Sequence, residues 1–115
     1  MPTATIQLEI DSELITTTAT GNGPVDAAFT AVKKIIKREI LLEEFLVQAV
    51  TRGTDDVGKV HVTIKHNNSI FTGFSADTDI VTASVEAYLD AISKVYGLIK
   101  RNKESAIKES VKVLG

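Results

Sequence analysis

Few side chains in this chain are able to do chemistry, and their spacing limits what they can do. Histidines stand at His61 and His66, acidic residues pair at Glu43 and Glu44 and again at Asp77 and Asp79, and Ser84 lies in an alanine-rich run. His61 falls on the polar face of the alternating stretch "KVHVTIKH", and His66 ends it beside Asn67 and Asn68. The pair lacks the helical HxxxH spacing of a zinc site, and no cysteine is present to complete a ligand set. Both read as surface histidines, and no metal site is expected. Asp77 and Asp79 form a DxD pair, but the glycine and the closing glutamate of a calcium loop are missing. Asp77, Thr78 or Asp79 is better read as a helix N-cap, where negative charge suits the helix dipole. Glu43 and Glu44 are neighbours on an expected strand and face opposite sides. Ser84 sits within a helical pattern and not in a GxSxG turn, so a nucleophile elbow is excluded. No catalytic set, metal site or cofactor site is expected.

One further segment has chemical potential, "TGNGPVDAAF", residues 20–29. Its glycines end a strand, and Pro24 suits the first position of a helix, where an N–H is not needed. The segment lacks the third glycine of a dinucleotide fingerprint and the lysine of a P-loop. A helix start nevertheless presents unpaired N–H groups, and glycine lets a ligand approach them. A carboxylate suits such a turn, and an ammonium suits Asp77 or Asp79 at the second helix start. One anion-favouring turn and one acidic turn suit a zwitterion such as an amino acid. Val25, Phe45 and Ile80 would then receive its apolar side chain.

The elements that position these residues follow from hydrophobic period. "TATIQLEI" alternates, with Ile6, Leu8 and Ile10 on one face, and predicts a half-buried strand. Asp11, Ser12 and Glu13 read as a tight turn, and the β-branched "LITTTAT" as the hairpin partner. From Val25 the period becomes helical, with Val25, Ala28, Phe29, Val32, Ile35 and Ile36 on one face. "ILLEEFLVQAV" suits either a strand or a helix, and its β-branched and aromatic content favours a strand. "TRGTDDVG" reads as a loop. "KVHVTIKH" and "SIFTGFS" read as strands joined by an Asn67-Asn68 hairpin turn. Ile80, Ala83, Ser84, Ala87, Tyr88, Ala91, Ile92 and Val95 form a long helical stripe, its alanines suited to close packing. Ile107, Val111 and Leu114 predict a short amphipathic helix over about 103–114.

The bulk numbers fit one ordinary α+β domain over 115 residues, 43% hydrophobic and 24% charged. A net charge of −2 gives no basic surplus for a nucleic acid. No apolar run is long enough to span a membrane, and the first residues lack a signal peptide's pattern. A soluble, cytoplasmic protein is expected.

The two halves repeat weakly. Ile15 stands 55 positions before Ile70, and at the same offset Thr17 meets Thr72, Asn22 meets Asp77, Val25 meets Ile80 and Ala28 meets Ala83. Repeat one covers about 1–38 and repeat two about 39–98. The second shows three strands before its helix and the first only two, so the first repeat lacks its first strand or takes it from another chain.

"PTATIQLEI", "TATGNGPVDAAFTAV" and "GFSADTDIVTASVEAYLDAI" together resemble the C-terminal regulatory domain of the 2-isopropylmalate synthase and citramalate synthase family. The motifs come in the family's order over nearly the whole chain. The resemblance implies a pair of βββα repeats that forms a homodimer and binds a pathway end product, leucine or isoleucine, in feedback inhibition. It implies an effector pocket between the repeats, from Asn22, Gly23, Pro24 and Val25 in the first turn and Asp77, Asp79 and Ile80 in the second. Phe45 and Ala49 would come from the intervening strand. The acetyl-CoA-dependent catalytic TIM-barrel domain would lie elsewhere, in the same chain or another. A ligand-free structural dimer is the competing expectation. An enzyme ranks behind both, since no acid, base or nucleophile set converges.

Overall fold

A computed structural model of the chain describes residues 1–10, 12–36, 38–52, 55–99 and 107–114, with side chains for 1–10, 12–36, 38–50 and 56–97. The fold is α+β, with two three-stranded antiparallel sheets and two helices. The chain divides into two compact units, Met1–Arg38 with Tyr96–Gly115, and Glu39–Val95.

In the first unit, β1 (Thr3–Ile10) and β2 (Glu13–Thr20) form a hairpin closed by the Ile10–Glu13 pair. Ser12 takes a positive φ of 66° in the turn. Helix α1 (Pro24–Ile35) packs on this hairpin, burying Ala28, Phe29, Val32 and Ile35 as its period predicts, together with Ala27 and Ala31. Beneath it Ala4, Ile6 and Leu8 are fully buried. The other face of the hairpin is polar and paired across the strands. The Thr5 and Thr18 hydroxyls lie 3.1 Å apart, and Gln7 Nε2 donates to Thr16 Oγ1 at 3.1 Å.

The third strand of this sheet is β6 (Ile107–Leu114), antiparallel to β1 from Thr3–Leu114 to Ile10–Ile107, in the order β2-β1-β6. The helix expected over 103–114 is therefore corrected to a strand over 107–114; residues 103–106 lie outside the described ones. The sequence "IKESVKVL" fits both periods. Ile107, Val111 and Leu114 suit a helix, while Ile107, Val111 and Val113 alternate. An unpaired edge on β1 decides between them, because a ladder satisfies the backbone of both strands at once. The strand that the first repeat lacked at its N-terminus comes from the chain's own C-terminal part.

In the second unit, β3 (Leu41–Arg52), β4 (Asp55–His66) and β5 (Ser69–Asp77) form a meander. A bulge between Leu42 and Glu44 makes Glu43 the extra residue. The loop expected at "TRGTDDVG" is shorter than its composition suggests, since the ladder runs on to the Arg52–Asp55 pair. The second hairpin turns through Asn67 and Asn68 at φ of 49° and 65°. Two positive φ values match a type I′ turn, whose twist suits antiparallel strands.

Helix α2 (Ile80–Ile99) lays its small-residue stripe on this sheet. Val60, Val62 and Ile64 of β4 are fully buried, as are Ala83, Ser84, Ala87, Ala91, Ile92 and Val95. Ser84 spends its hydroxyl on the Ile80 carbonyl at 2.6 Å, inside its own helix. The contact is closest at Gly73 of β5. A β-carbon there would overlap the Ala87 carbonyl oxygen and lie 2.6 Å from the Ala91 nitrogen. Gly73→Ala is expected to lower unfolding free energy by about 1–3 kcal/mol through overpacking, measured by urea denaturation.

Tyr88 is buried within the same stripe, and burial pushes its phenol up to about 12 from 10.0. Between these values the folded chain holds a proton that the unfolded chain has lost, so stability falls as pH rises. The contribution is complete below about pH 10. The urea midpoint should drop from pH 10 towards 12, and Tyr88→Phe should show a smaller drop.

Candidate functional site at the two helix starts

The start of α1 is built by glycine and an acid acting together. Gly21 donates its N–H to the Pro2 carbonyl at 3.2 Å, and a β-carbon there would lie 2.5 Å from both the Ala27 nitrogen and Asp26 Oδ2. Gly23 is the N-cap, extended at φ −152° and ψ 171°, with its carbonyl accepting from the Ala27 N–H at 2.9 Å. Pro24 takes the first helical position. Asp26, in the first turn, folds back so that Oδ2 accepts the Asn22 N–H at 2.9 Å. The bond resembles the side-chain arm of a capping box, shifted to the N–H of the residue before the cap. Asp26 is the residue that sequence reading missed here. An acid three places after the cap residue was the available signal.

Two consequences follow. The anion-favouring terminus already holds one carboxylate, supplied by the chain. Gly23, in contrast, faces open space, since a β-carbon there would meet nothing within 4 Å. Its φ is ordinary for any residue, so the fold itself does not require glycine at 23. Asn22 and Pro24 are exposed, and Gly23 and Val25 half-buried.

The start of α2 is closed by aspartates. Asp79 is the cap: its carbonyl accepts from Ala83 at 3.0 Å, Oδ1 accepts the Val81 N–H at 2.9 Å and Oδ2 accepts the Thr82 hydroxyl at 3.0 Å. Asp77 Oδ1 accepts the Asp79 N–H at 2.8 Å, which fixes the turn into the helix. Of the three capping candidates, Asp79 does the work, with both carboxylate oxygens engaged.

The neighbouring sheet brings further expected residues alongside. Ala49 pairs with Gly58, and Gly58 pairs with Asp77, so the three form one row across the sheet. A β-carbon on Gly58 would overlap Ile80 Cδ1, so Ile80 lies over that row. Gly58 falls in the stretch expected as loop, but a lone glycine beside an alternating run also signals close approach within a strand. Phe45 pairs with Val62, farther along the same strand and on the same face as Ala49. Within the second unit, Ala49, Asp77 and Ile80 thus converge on Gly58, Phe45 stands apart and Asp79 turns to its own helix. Asn22, Gly23, Pro24 and Val25 gather at the start of α1 in the first unit.

The histidines do structural work. His66 Nδ1–H donates to the Glu39 carbonyl at 2.8 Å, and Asn67 Nδ2 lies 3.3 Å from the other ring nitrogen. The His61 ring packs on Phe74 with centroids 4.8 Å apart. Among the described residues no group of three His, Cys, Asp or Glu is placed to hold a metal ion. A hollow of 380 Å³ lined by Glu39, Leu41, Lys65, Asn67 and Asn68 opens at the other end of the sheet from Gly58. No described helix is long and apolar enough to cross a membrane.

Residues 1–96, which include both helix starts, match the model of the LeuA allosteric (dimerisation) domain. The chain belongs to that family. It is 54% identical over 77 residues to a 2-isopropylmalate synthase of Parabacteroides distasonis, covering 66% of this chain and 15% of the relative. A 2-isopropylmalate synthase of Ruminiclostridium cellulolyticum is 49% identical over 92 residues, covering 80% and 18% respectively. That of Trichodesmium erythraeum is 40% identical over 104 residues, covering 90% and 19%. The chain thus spans less than a fifth of the length of these three relatives.

The capping geometry has a direct test. Asp79→Ala should cost about 1 kcal/mol in urea unfolding, whereas Asp79→Asn, which keeps an acceptor at the cap, should lose less.

Proposed function

We propose that this chain is the effector-sensing and dimerising part of a 2-isopropylmalate synthase-type, acetyl-CoA-dependent acyltransferase. It binds a branched-chain amino acid, leucine first, and carries feedback inhibition of leucine biosynthesis in the cytoplasm. The family match over residues 1–96 carries this reading. The small share of each relative that the chain covers supports a catalytic TIM-barrel domain outside it, in the same chain or another. The family's description supports a homodimer.

The proposed contacts are at the two helix starts. Asn22, Gly23, Pro24 and Val25 offer an open backbone turn for a carboxylate. Asp77, in one row with Gly58 and Ala49 and with Ile80 over that row, offers an acid near apolar side chains for the rest of an amino acid. Phe45, on the same face farther along β3, is the remaining proposed contact. Regulation then needs only differential binding. An effector that favours one arrangement of the dimer shifts the catalytic part by the same free energy. Leucine and isoleucine are isomers with the same polar groups, and apolar shape alone discriminates by about 1–3 kcal/mol. Isoleucine sensing for a citramalate synthase is therefore the nearest alternative.

A second reading, a structural dimer without ligand, is favoured by one observation. The Asp26 and Asp79 carboxylates are already engaged within their own helix starts.

Calorimetry with leucine, isoleucine and valine separates the two. Leucine should bind saturably at millimolar concentration or below. Gly23→Ala should weaken it about tenfold or more, equivalent to 1.4 kcal/mol, with an unchanged or slightly higher urea midpoint. No heat from any of the three would leave the ligand-free reading standing. Equal affinity in Gly23→Ala would move the site away from the start of α1.

A further inference from the structure

The strand edges of this chain are treated unequally. On β2, Lys34 Nζ donates to the Thr18 carbonyl at 3.1 Å. On β5, the Phe74 N–H donates to Asp90 Oδ2 at 3.0 Å and Lys94 Nζ donates to the Thr72 carbonyl. In each unit the helix thus reaches down and engages backbone groups of the edge strand that precedes it. These are the groups another strand would use, and charged side chains over an edge keep further strands away.

Among the described residues, β3 is the opposite edge of the second sheet, with a strand neighbour on one side only. It is 12 residues long, "LLEEFLVQAVTR", with no lysine and no proline, and residues 45–51 carry no charge. Its apolar side chains are exposed on both faces of the sheet: Leu42 and Val47 on the face shared with Val60 and Ile64, Leu41 and Leu46 on the other. Leu41 is 62% exposed, Leu46 53% and Val47 49%. A long apolar edge without such protection invites strand addition.

We propose that β3 is the homodimer edge, pairing antiparallel with β3 of a second copy to give a continuous six-stranded sheet. The inference rests on the homodimer proposed above, and on the family's description as a dimerisation domain. A two-fold axis perpendicular to the sheet keeps like faces together, so residues meet with even-numbered sums. The register centred on Gln48 sets Val47 opposite Ala49 and Leu46 opposite Val50, and brings Glu44 level with Arg52. Strand pairing alone buries less than the roughly 1,200–2,000 Å² of a stable interface. The exposed leucines and Val47 supply contact on both faces.

The absence of cysteine makes the test clean. In the full 115-residue chain, Gln48→Cys places one thiol at the two-fold axis, within disulfide reach of its copy. Under mild oxidation it should form covalent dimer as the main species on a non-reducing gel, while Ala76→Cys on β5 should not. Light scattering should give the unmodified chain twice its 12.4 kDa mass. Val47→Lys should raise the dimer dissociation constant tenfold or more while keeping its circular dichroism. A monomer at every concentration would overturn the homodimer and this inference together. A dimer that survives Val47→Lys, with Gln48→Cys cross-linking no better than Ala76→Cys, would overturn the β3 edge alone.

Discussion

The α2 backbone lies against β5 because position 73 has no side chain. Ala87 and Ala91 complete the approach from the helix side, and any larger residue at these three places would hold helix and sheet apart. That distance sets much else in the second unit. Tyr88 and Ile92 on the helix and Val60, Val62 and Ile64 on the sheet are all buried. The same distance brings Asp90 and Lys94 within reach of the β5 backbone and holds the start of α2 beside Gly58 and Asp77. Close packing gains dispersion contacts over the whole stripe, each tiny and together large.

The same fold solves the strand-edge problem differently at different edges. Helix side chains engage the backbone of β2 and β5, β6 occupies the second edge of β1, and β3 keeps its apolar side chains in the open. The first unit reaches three strands by recruiting a segment distant in sequence, and the second reaches three with consecutive strands. Two units of similar build thus arise from unlike chain orders.

Local periodicity carried much of this into the sequence. Alternation placed Ile6 and Leu8 in the first core and Val60, Val62 and Ile64 in the second, and the helical stripe from Ala83 to Val95 is the one buried. β-branched and aromatic content correctly favoured a strand at β3. What escaped depends on distant partners. Residues 107–114 suit helix or strand by their own pattern, and only the open edge of β1 decides. Gly58 looked like loop because its reason, the Ile80 side chain, lies more than twenty residues on. Asp26 is not legible as a cap, because an acid in a first helical turn has a general electrostatic explanation, while its bond to the Asn22 N–H is a matter of geometry. Of the candidate site, the turns and the Asp79 cap were legible, and the row Ala49–Gly58–Asp77 was not, because register is invisible without pairing.

For the proposed amino-acid effector, the two helix starts differ in what they leave open. Gly23 is open where the fold does not need it to be, and Asp79 is consumed by its own cap. That difference makes Gly23 and Asp77 the more informative positions. Amide chemical-shift mapping of the isotope-labelled chain during a leucine titration reads both helix starts at once. Saturable shifts are expected at Asn22, Gly23 and Val25 and at Asp77, Ile80 and Val81, all with one dissociation constant. Shifts confined to the hollow around Glu39, Leu41 and Lys65, or none at saturating leucine, would contradict the proposed effector site.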